Sequence, residues 1–288
     1  MPELALPSSL AVVALGLAAA AAWGTSDFGG GLLGRRAPLL GALAVTQGIG
    51  FVLALAITVL RREPLLAGPD LLLALGSGLL AAVGIGSLYG GLALGRMGVV
   101  APVAAVLTAL TPALIGIVLE GVPKPLAIAG MALAIVAVVI VSTVRDSGPD
   151  RPSGLPFGVV AGLSLGVLSF ALSRIDDAYL IAPLAAIRAV QLAVFATIVL
   201  LVRRPWRPPR ATWPLAFGVG AIDLLGNTLF LTASRIELAP AAVVSSLYPV
   251  VTVLLAAAVL RERMTGSHVL GIGLALTGVA MIAAGTTT

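Results

Sequence analysis

Three ionisable side chains lie inside long apolar segments rather than at their ends: Asp27, Arg188 and Asp223. A charge within such a segment is costly unless it is paired or hydrated, so it normally faces a helix-bundle interior or a water-filled cavity. An arginine there can bind a carboxylate, whereas an aspartate can bind an amine or carry a proton. These residues predict a site for a small charged or zwitterionic molecule. They also fit a structural alternative, in which Arg188 and Asp223 simply neutralise each other.

Polar and aromatic residues accompany these charges. Gln191 lies one helical turn from Arg188, and Asn227 lies one turn from Asp223, so each shares a helix face with its charged neighbour. Hydroxyl groups near Pro249 can satisfy the carbonyl that a proline frees, or present it to a ligand. Trp23 and Tyr89 fit an aromatic wall or a plain packing role. The residues that we expect to line the site, besides the three charges, are Gln191, Asn227, Trp23, Tyr89, Ser245 and Tyr248.

Several kinds of chemistry are not expected. The 288 residues include no cysteine and one histidine, which leaves no disulfide, no thiol chemistry and no metal site built from several His or Cys ligands. The chain contains neither a Gly-x-x-x-x-Gly-Lys phosphate loop nor a His-Glu-x-x-His pair. We therefore expect neither an enzyme nor a bound cofactor. The net charge of +5 is scattered over loops without a basic face, so no nucleic-acid partner is expected.

The elements that position these residues are membrane-spanning helices. The chain is 59% hydrophobic and only 10% charged, whereas soluble domains have about 25% charged residues. Apolar runs long enough to cross a bilayer recur along the whole chain. The predicted spans are 10–33, 39–60, 71–94, 98–119, 125–144, 155–173, 179–202, 213–233, 239–260 and 267–285.

The two halves of the chain resemble each other. Similar residues recur in the same order after a shift of about 140 positions. Because each half would hold five helices, tandem copies would insert with opposite orientations, an architecture that recurs in secondary transporters. We predict an all-α membrane protein of ten transmembrane helices, arranged as inverted five-helix repeats at 1–146 and 153–288. The matched positions include Gly24 with Gly166, Gln47 with Gln191 and Pro102 with Pro240.

Glycines recur every four residues in the sixth span, at Gly154, Gly158, Gly162 and Gly166. Small residues at this spacing let helix backbones approach closely inside a membrane. We expect this face to pack tightly against another helix.

Several motifs together resemble a known family. They are Trp23-Gly24, the prolines of the fourth and ninth spans, and Leu260-Arg261-Glu262-Arg263 followed by Gly271. The chain is similar to the EamA-type ten-helix permeases of the drug/metabolite transporter superfamily. The resemblance implies two repeats around a central cavity, alternating access, and substrates that are small metabolites, amino acids or amphipathic drugs.

The function predicted from the sequence is secondary transport without ATP and coupled to protons; the alternative is a passive facilitator or channel-like pore. The expected partners are a small-molecule substrate, the lipid bilayer and protons, with the protein a monomer or homodimer in the inner cell membrane. Orientation is left open. The loops after odd-numbered helices carry more Lys and Arg, which places both termini outside, whereas the resemblance implies cytoplasmic termini.

Overall fold

The computed structural model describes residues 8–120, 125–143, 152–176, 178–202, 206–236, 241, 244–245, 247–261 and 266–286. These residues include ten α-helices with defined bounds and a short 3-10 helix at Arg210–Thr212. The α-helices are α1 Ser8–Arg36, α2 Leu39–Leu60, α3 Gly68–Leu94, α4 Met97–Glu120, α5 Pro125–Thr143, α6 Leu155–Leu172, α7 Ala182–Val202, α8 Trp213–Ile236, α9 Tyr248–Leu260 and α10 Gly266–Thr286.

The predicted all-α membrane fold is confirmed. Within the described residues, α1, α2, α3, α6, α7 and α8 are long and apolar enough to cross a membrane. In the predicted ninth span, residues 241, 244 and 245 are helical, a turn lies at Leu247, and α9 begins at Tyr248. Pro249 lies in the first turn of α9, where backbone N–H groups have no partner within the helix, so its missing N–H costs no hydrogen bond. The predicted boundary between the halves lies at 147–152, of which all but residue 152 lie outside the described residues.

Helices of the first half pack mainly on helices of the second half. Helix α5 packs on α10, and α2 packs on α7. If α1–α5 correspond in order to α6–α10, each contact has a counterpart. The contact of α3 with α6 corresponds to that of α8 with α1, and the contact of α4 with α6 corresponds to that of α9 with α1. Two related halves would produce this pattern. The duplication itself stays a prediction.

The glycine face of α6 packs against α4, as expected from its spacing. A β-carbon added at Gly162 would lie 2.7 Å from the main-chain oxygen of Ala104, and one added at Gly166 would lie 2.5 Å from Cβ of Thr111. These distances are below any normal contact, so glycine is what allows the two helices to touch. The prediction of tight packing is confirmed.

Candidate functional site

Arg188 lies at the centre of the bundle, on α7. Its side chain is 5% exposed. One terminal nitrogen of the guanidinium donates to Oε1 of Gln47 on α2 at 2.9 Å, and the other pairs with Oδ2 of Asp223 on α8. Gly50 lets α2 pass close by, because an added β-carbon there would lie 2.5 Å from the guanidinium. A buried cation needs such acceptors, since removal from water is otherwise too costly.

Asp223 is held by its own helix as well as by Arg188. Nδ2 of Asn227, one turn further along α8, donates to the main-chain oxygen of Asp223 at 2.8 Å. The same nitrogen lies 3.5 Å from Oδ2 of Asp223. The Asp223 side chain remains 17% exposed, so this carboxylate is the more accessible partner of the ion pair.

Asp27 lies near this pair on α1 but is bound differently. It is 7% exposed, and its carboxylate makes no hydrogen bond or ion pair within the described part of the chain. The neighbouring Ser26 binds the main-chain oxygen of Val219, one turn before Asp223, so Asp27 and Asp223 lie on contacting helices. A nearly buried carboxylate without a fixed cation is unusual, because desolvation favours pairing.

Helix α1 is positioned here by contacts on both sides of Asp27. The Ser26 hydroxyl donates to the main-chain oxygen of Val219 at 3.2 Å and lies 3.5 Å from the hydroxyl of Tyr89. The Tyr89 ring packs so closely that a β-carbon at Gly30 would lie 2.3 Å from it. Asp27 is thereby fixed beside α3 and α8.

Aromatic residues adjoin the charged centre. The ring centroids of Trp23 and Phe230 lie 5.3 Å apart, and those of Trp23 and Tyr248 lie 6.1 Å apart in an edge-on arrangement. Trp23 and Tyr248 are half-buried, whereas Tyr89 is 1% exposed. The first two are therefore the accessible aromatic surfaces.

The structure brings most of the predicted site residues together. Direct contacts join Arg188 to Asp223 and Asp223 to Asn227, and Trp23 to Tyr248. Gln191 and Ser245 are buried, but no described contact links them to the charged pair, so their place in the site stays a prediction.

The sequence analysis did not include Gln47 or Ser26 among the site residues. Gln47 was visible as the partner of Gln191 in the repeat comparison, and an amide inside an apolar span was the available signal. Ser26 has no such signal, since its role depends on the neighbouring helices.

Comparisons with known proteins bear on the family and the fold of the chain. A model of the EamA-like transporter family matches residues 152–284. The second half of the chain is therefore similar to that family, which agrees with the resemblance inferred from the sequence motifs.

A solved crystal structure shows the same fold over nearly the whole chain. It superposes with a TM-score of 0.67 at 20% identity and covers 94% of this chain and 95% of its own. No curated protein sequence matches this chain. The structural likeness therefore supports the fold of both halves.

Proposed function

We propose that this protein is a proton-coupled carrier that moves a small zwitterionic or amphipathic metabolite by alternating access. Arg188 and Asp223 bind the substrate, and Asp27 carries the proton. The observation that carries the proposal is a nearly buried Asp27 carboxylate that has no hydrogen-bond or ion-pair partner among the described residues, on a helix beside the Arg188–Asp223 ion pair.

The ion pair can exchange partners with a zwitterion. A substrate carboxylate that replaces Asp223 on Arg188 preserves the charge-assisted hydrogen bonds of the guanidinium. Asp223 is then free to accept from the substrate's ammonium group, so neither buried charge is left without a partner. Gln47 holds Arg188 in place during the exchange, through its 2.9 Å hydrogen bond.

Asp27 is suited to proton transfer because no cation in the described part of the chain fixes its charge state. A carboxylate takes up or releases a proton when nearby charges or its exposure to water change. Both changes occur at Asp27 when Asp223 leaves Arg188 and when one end of the transporter opens. Substrate binding and proton binding are thereby coupled through the repulsion between Asp27 and Asp223.

The alternative is passive facilitation through a pore. Arg188 and Gln47 are each at most 5% exposed, so these two members of the centre are buried in this conformation. Their burial favours a carrier, which exposes its site to one side at a time.

The test begins with ligand identification in a thermal-shift screen of the twenty common amino acids, their amines and their carboxylic acids. The best ligand is then used in radiolabelled form in proteoliposomes, in two assays. Counterflow measures exchange without a proton gradient, and uptake under an imposed pH gradient measures coupling. A carrier shows counterflow, whereas a simple pore shows none.

For Asp27→Asn we expect counterflow to persist while accumulation driven by the pH gradient falls about tenfold or more, because the amide cannot carry a proton. For Asp223→Asn we expect weaker substrate binding in both assays. Full gradient-driven accumulation by Asp27→Asn would show that Asp27 is not the proton carrier. The Arg188–Asp223 pair would then be purely structural if Asp223→Asn also transported normally.

A further inference from the structure

The loop between α2 and α3 reaches the N-terminus of α7 through one carboxylate. Oε2 of Glu63 accepts hydrogen bonds from the main-chain nitrogens of Leu180, Ile181 and Ala182 at 3.2, 2.8 and 3.0 Å. The first N–H groups of a helix have no partner within the helix, and its positive end attracts an anion. Glu63 satisfies both requirements for α7.

The backbone at the end of α2 orients the Glu63 carboxylate toward α7. Arg62 has φ 54° in the left-handed region, which turns the chain so that the Glu63 nitrogen donates to the main-chain oxygen of Thr58 at 3.1 Å. Nε of Arg61 then binds Oε1 of Glu63 at 3.0 Å. The Glu63 side chain is 7% exposed, whereas that of Arg61 is 52% exposed. The acid therefore points into the protein while its basic partner stays in solvent.

Further hydrogen bonds connect the same loops. The Asp176 nitrogen donates to Oδ1 of Asp70 at 3.2 Å, and the Tyr179 hydroxyl donates to the main-chain oxygen of Leu65 at 3.4 Å. We call the contact of Glu63 with residues 180–182, together with these two hydrogen bonds, the latch. It joins the α2–α3 loop and the first turn of α3, in the first half, to the α6–α7 loop and the N-terminus of α7, in the second.

An apolar layer lies between the latch and the charged centre. Ala185 is 6% exposed on α7, three residues before Arg188, and Ala54 on α2 is fully buried. Both belong to one buried cluster with Leu224 of α8. Along α7, Ala185 lies between the latch contact at Ala182 and Arg188.

We propose that Glu63 is the gate residue of this end, and that its carboxylate must release the N-terminus of α7 before the apolar layer can open. The proposal rests on alternating access as the proposed function. Because α7 carries Arg188 on the same rigid helix, movement of its N-terminus and rearrangement at the centre are mechanically linked. The hydrogen bonds of the latch therefore stabilise the conformation that is closed at this end.

The absence of cysteine in the chain allows a test with single reporters. Ala185→Cys and Ala54→Cys each place a thiol in the apolar layer, and Ala161→Cys places one in a fully buried position on α6. Each variant is reconstituted in nanodiscs, which leave both membrane faces accessible. Labelling by a charged methanethiosulfonate reagent is then measured at neutral pH.

We expect slow labelling of all three thiols while Glu63 is intact. Glu63→Ala should accelerate labelling at positions 185 and 54 by about tenfold or more, since three charge-assisted hydrogen bonds are lost. Labelling at 161 should not change. Glu63→Gln keeps the size of the side chain and should give an intermediate rate. Asp70→Asn, which weakens a single hydrogen bond, is the matched control and should have the smallest effect.

Three results would overturn the proposal. They are fast labelling at 185 before any change to Glu63, unchanged labelling in both Glu63 variants, and an equal increase at 161, which would mean unfolding. The assay needs neither substrate nor proton gradient. Failure of proton coupling at Asp27 would therefore leave this result intact, and failure of the latch would leave the transport assays intact.

Discussion

The two ends of the helix bundle differ in the charged side chain that binds a helix terminus there. An acid binds a helix N-terminus at one end, and a base binds a helix C-terminus at the other. At one end, the Glu63 carboxylate binds the N-terminus of α7. At the other, the Arg35 guanidinium binds the C-terminus of α3, where it donates to the main-chain oxygens of Leu92 at 3.0 Å and Ala93 at 3.2 Å. Both contacts follow the polarity of the helix, which is positive at its N-terminus and negative at its C-terminus.

The two contacts differ in which parts of the chain they join. In the described contacts, Arg35 connects α1 to α3 within the first half, whereas Glu63 connects the first half to the second. At the Arg35 end, the halves meet through backbone instead. A β-carbon at Gly95 would lie 2.8 Å from Cα of Gly154, and one at Gly41 would lie 1.6 Å from the main-chain oxygen of Trp206. We therefore expect the loss of one side chain to loosen the Glu63 end, whereas close backbone packing fixes the Arg35 end.

The largest effect is expected from Gly41→Ala, which places a methyl group in the close backbone contact at the Arg35 end. The new methyl group would overlap the main-chain oxygen of Trp206, and a backbone atom cannot move aside cheaply. We expect loss of most folded protein, measured as the monodisperse fraction in size-exclusion chromatography. Gly76→Ala on α3 is the control, because nothing lies within 4 Å of its added β-carbon. Equal yields of the two variants would contradict the tight contact.

A smaller effect is expected from Arg35→Ala. The variant leaves carbonyl groups at the end of α3 without their charged donor, which should lower Tm by about 5 °C. Because Arg35 joins elements of one half, labelling of a cysteine at position 185 should stay slow. Thermal denaturation in detergent and the labelling assay check the two parts separately. Fast labelling in this variant would mean that the two ends do not differ as described.

The smallest effect concerns pH and is specific to the Glu63 end. Desolvation of the carboxyl group raises the pKa of Glu63, but the hydrogen bonds from the α7 backbone and from Arg61 outweigh it and hold the net pKa below its ordinary value. The stabilisation is therefore complete above the ordinary glutamate pKa of about 4.3 and is lost as pH falls through the lower folded-state value.

The difference in Tm between the wild type and Glu63→Gln should accordingly be constant from pH 8 to about 5 and should shrink below about pH 4. Arg35→Ala provides the contrast, since arginine does not titrate in this range. A difference that instead grew on acidification would show that the Glu63 carboxylate does not stabilise the fold in its charged form.

The sequence predicted the helices and the central charges well, because both depend on local rules. Apolar length identifies a span, and Asp27, Arg188 and Asp223 stand out as charges within spans. The interruption before Tyr248 was missed, since a proline allows either a kinked or a restarted helix.

The latch could not be predicted in the same way. Glu63 looked like an ordinary loop acid beside two arginines. Its role depends on the left-handed conformation of Arg62 and on where α7 begins, 119 residues after Glu63 in the contact with Ala182. The Gln47 contact with Arg188 likewise spans 141 residues. Such contacts arise only when the two halves pack together.

The most direct test of the central claim is a proton count on substrate binding. Purified protein in weakly buffered detergent solution, with the pH indicator pyranine, is titrated with the ligand found in the thermal-shift screen. If Asp27 carries the coupled proton, binding changes the number of bound protons, and the indicator signal saturates together with binding. Asp27→Asn should bind the ligand without that signal. An undiminished proton signal from Asp27→Asn would contradict the account.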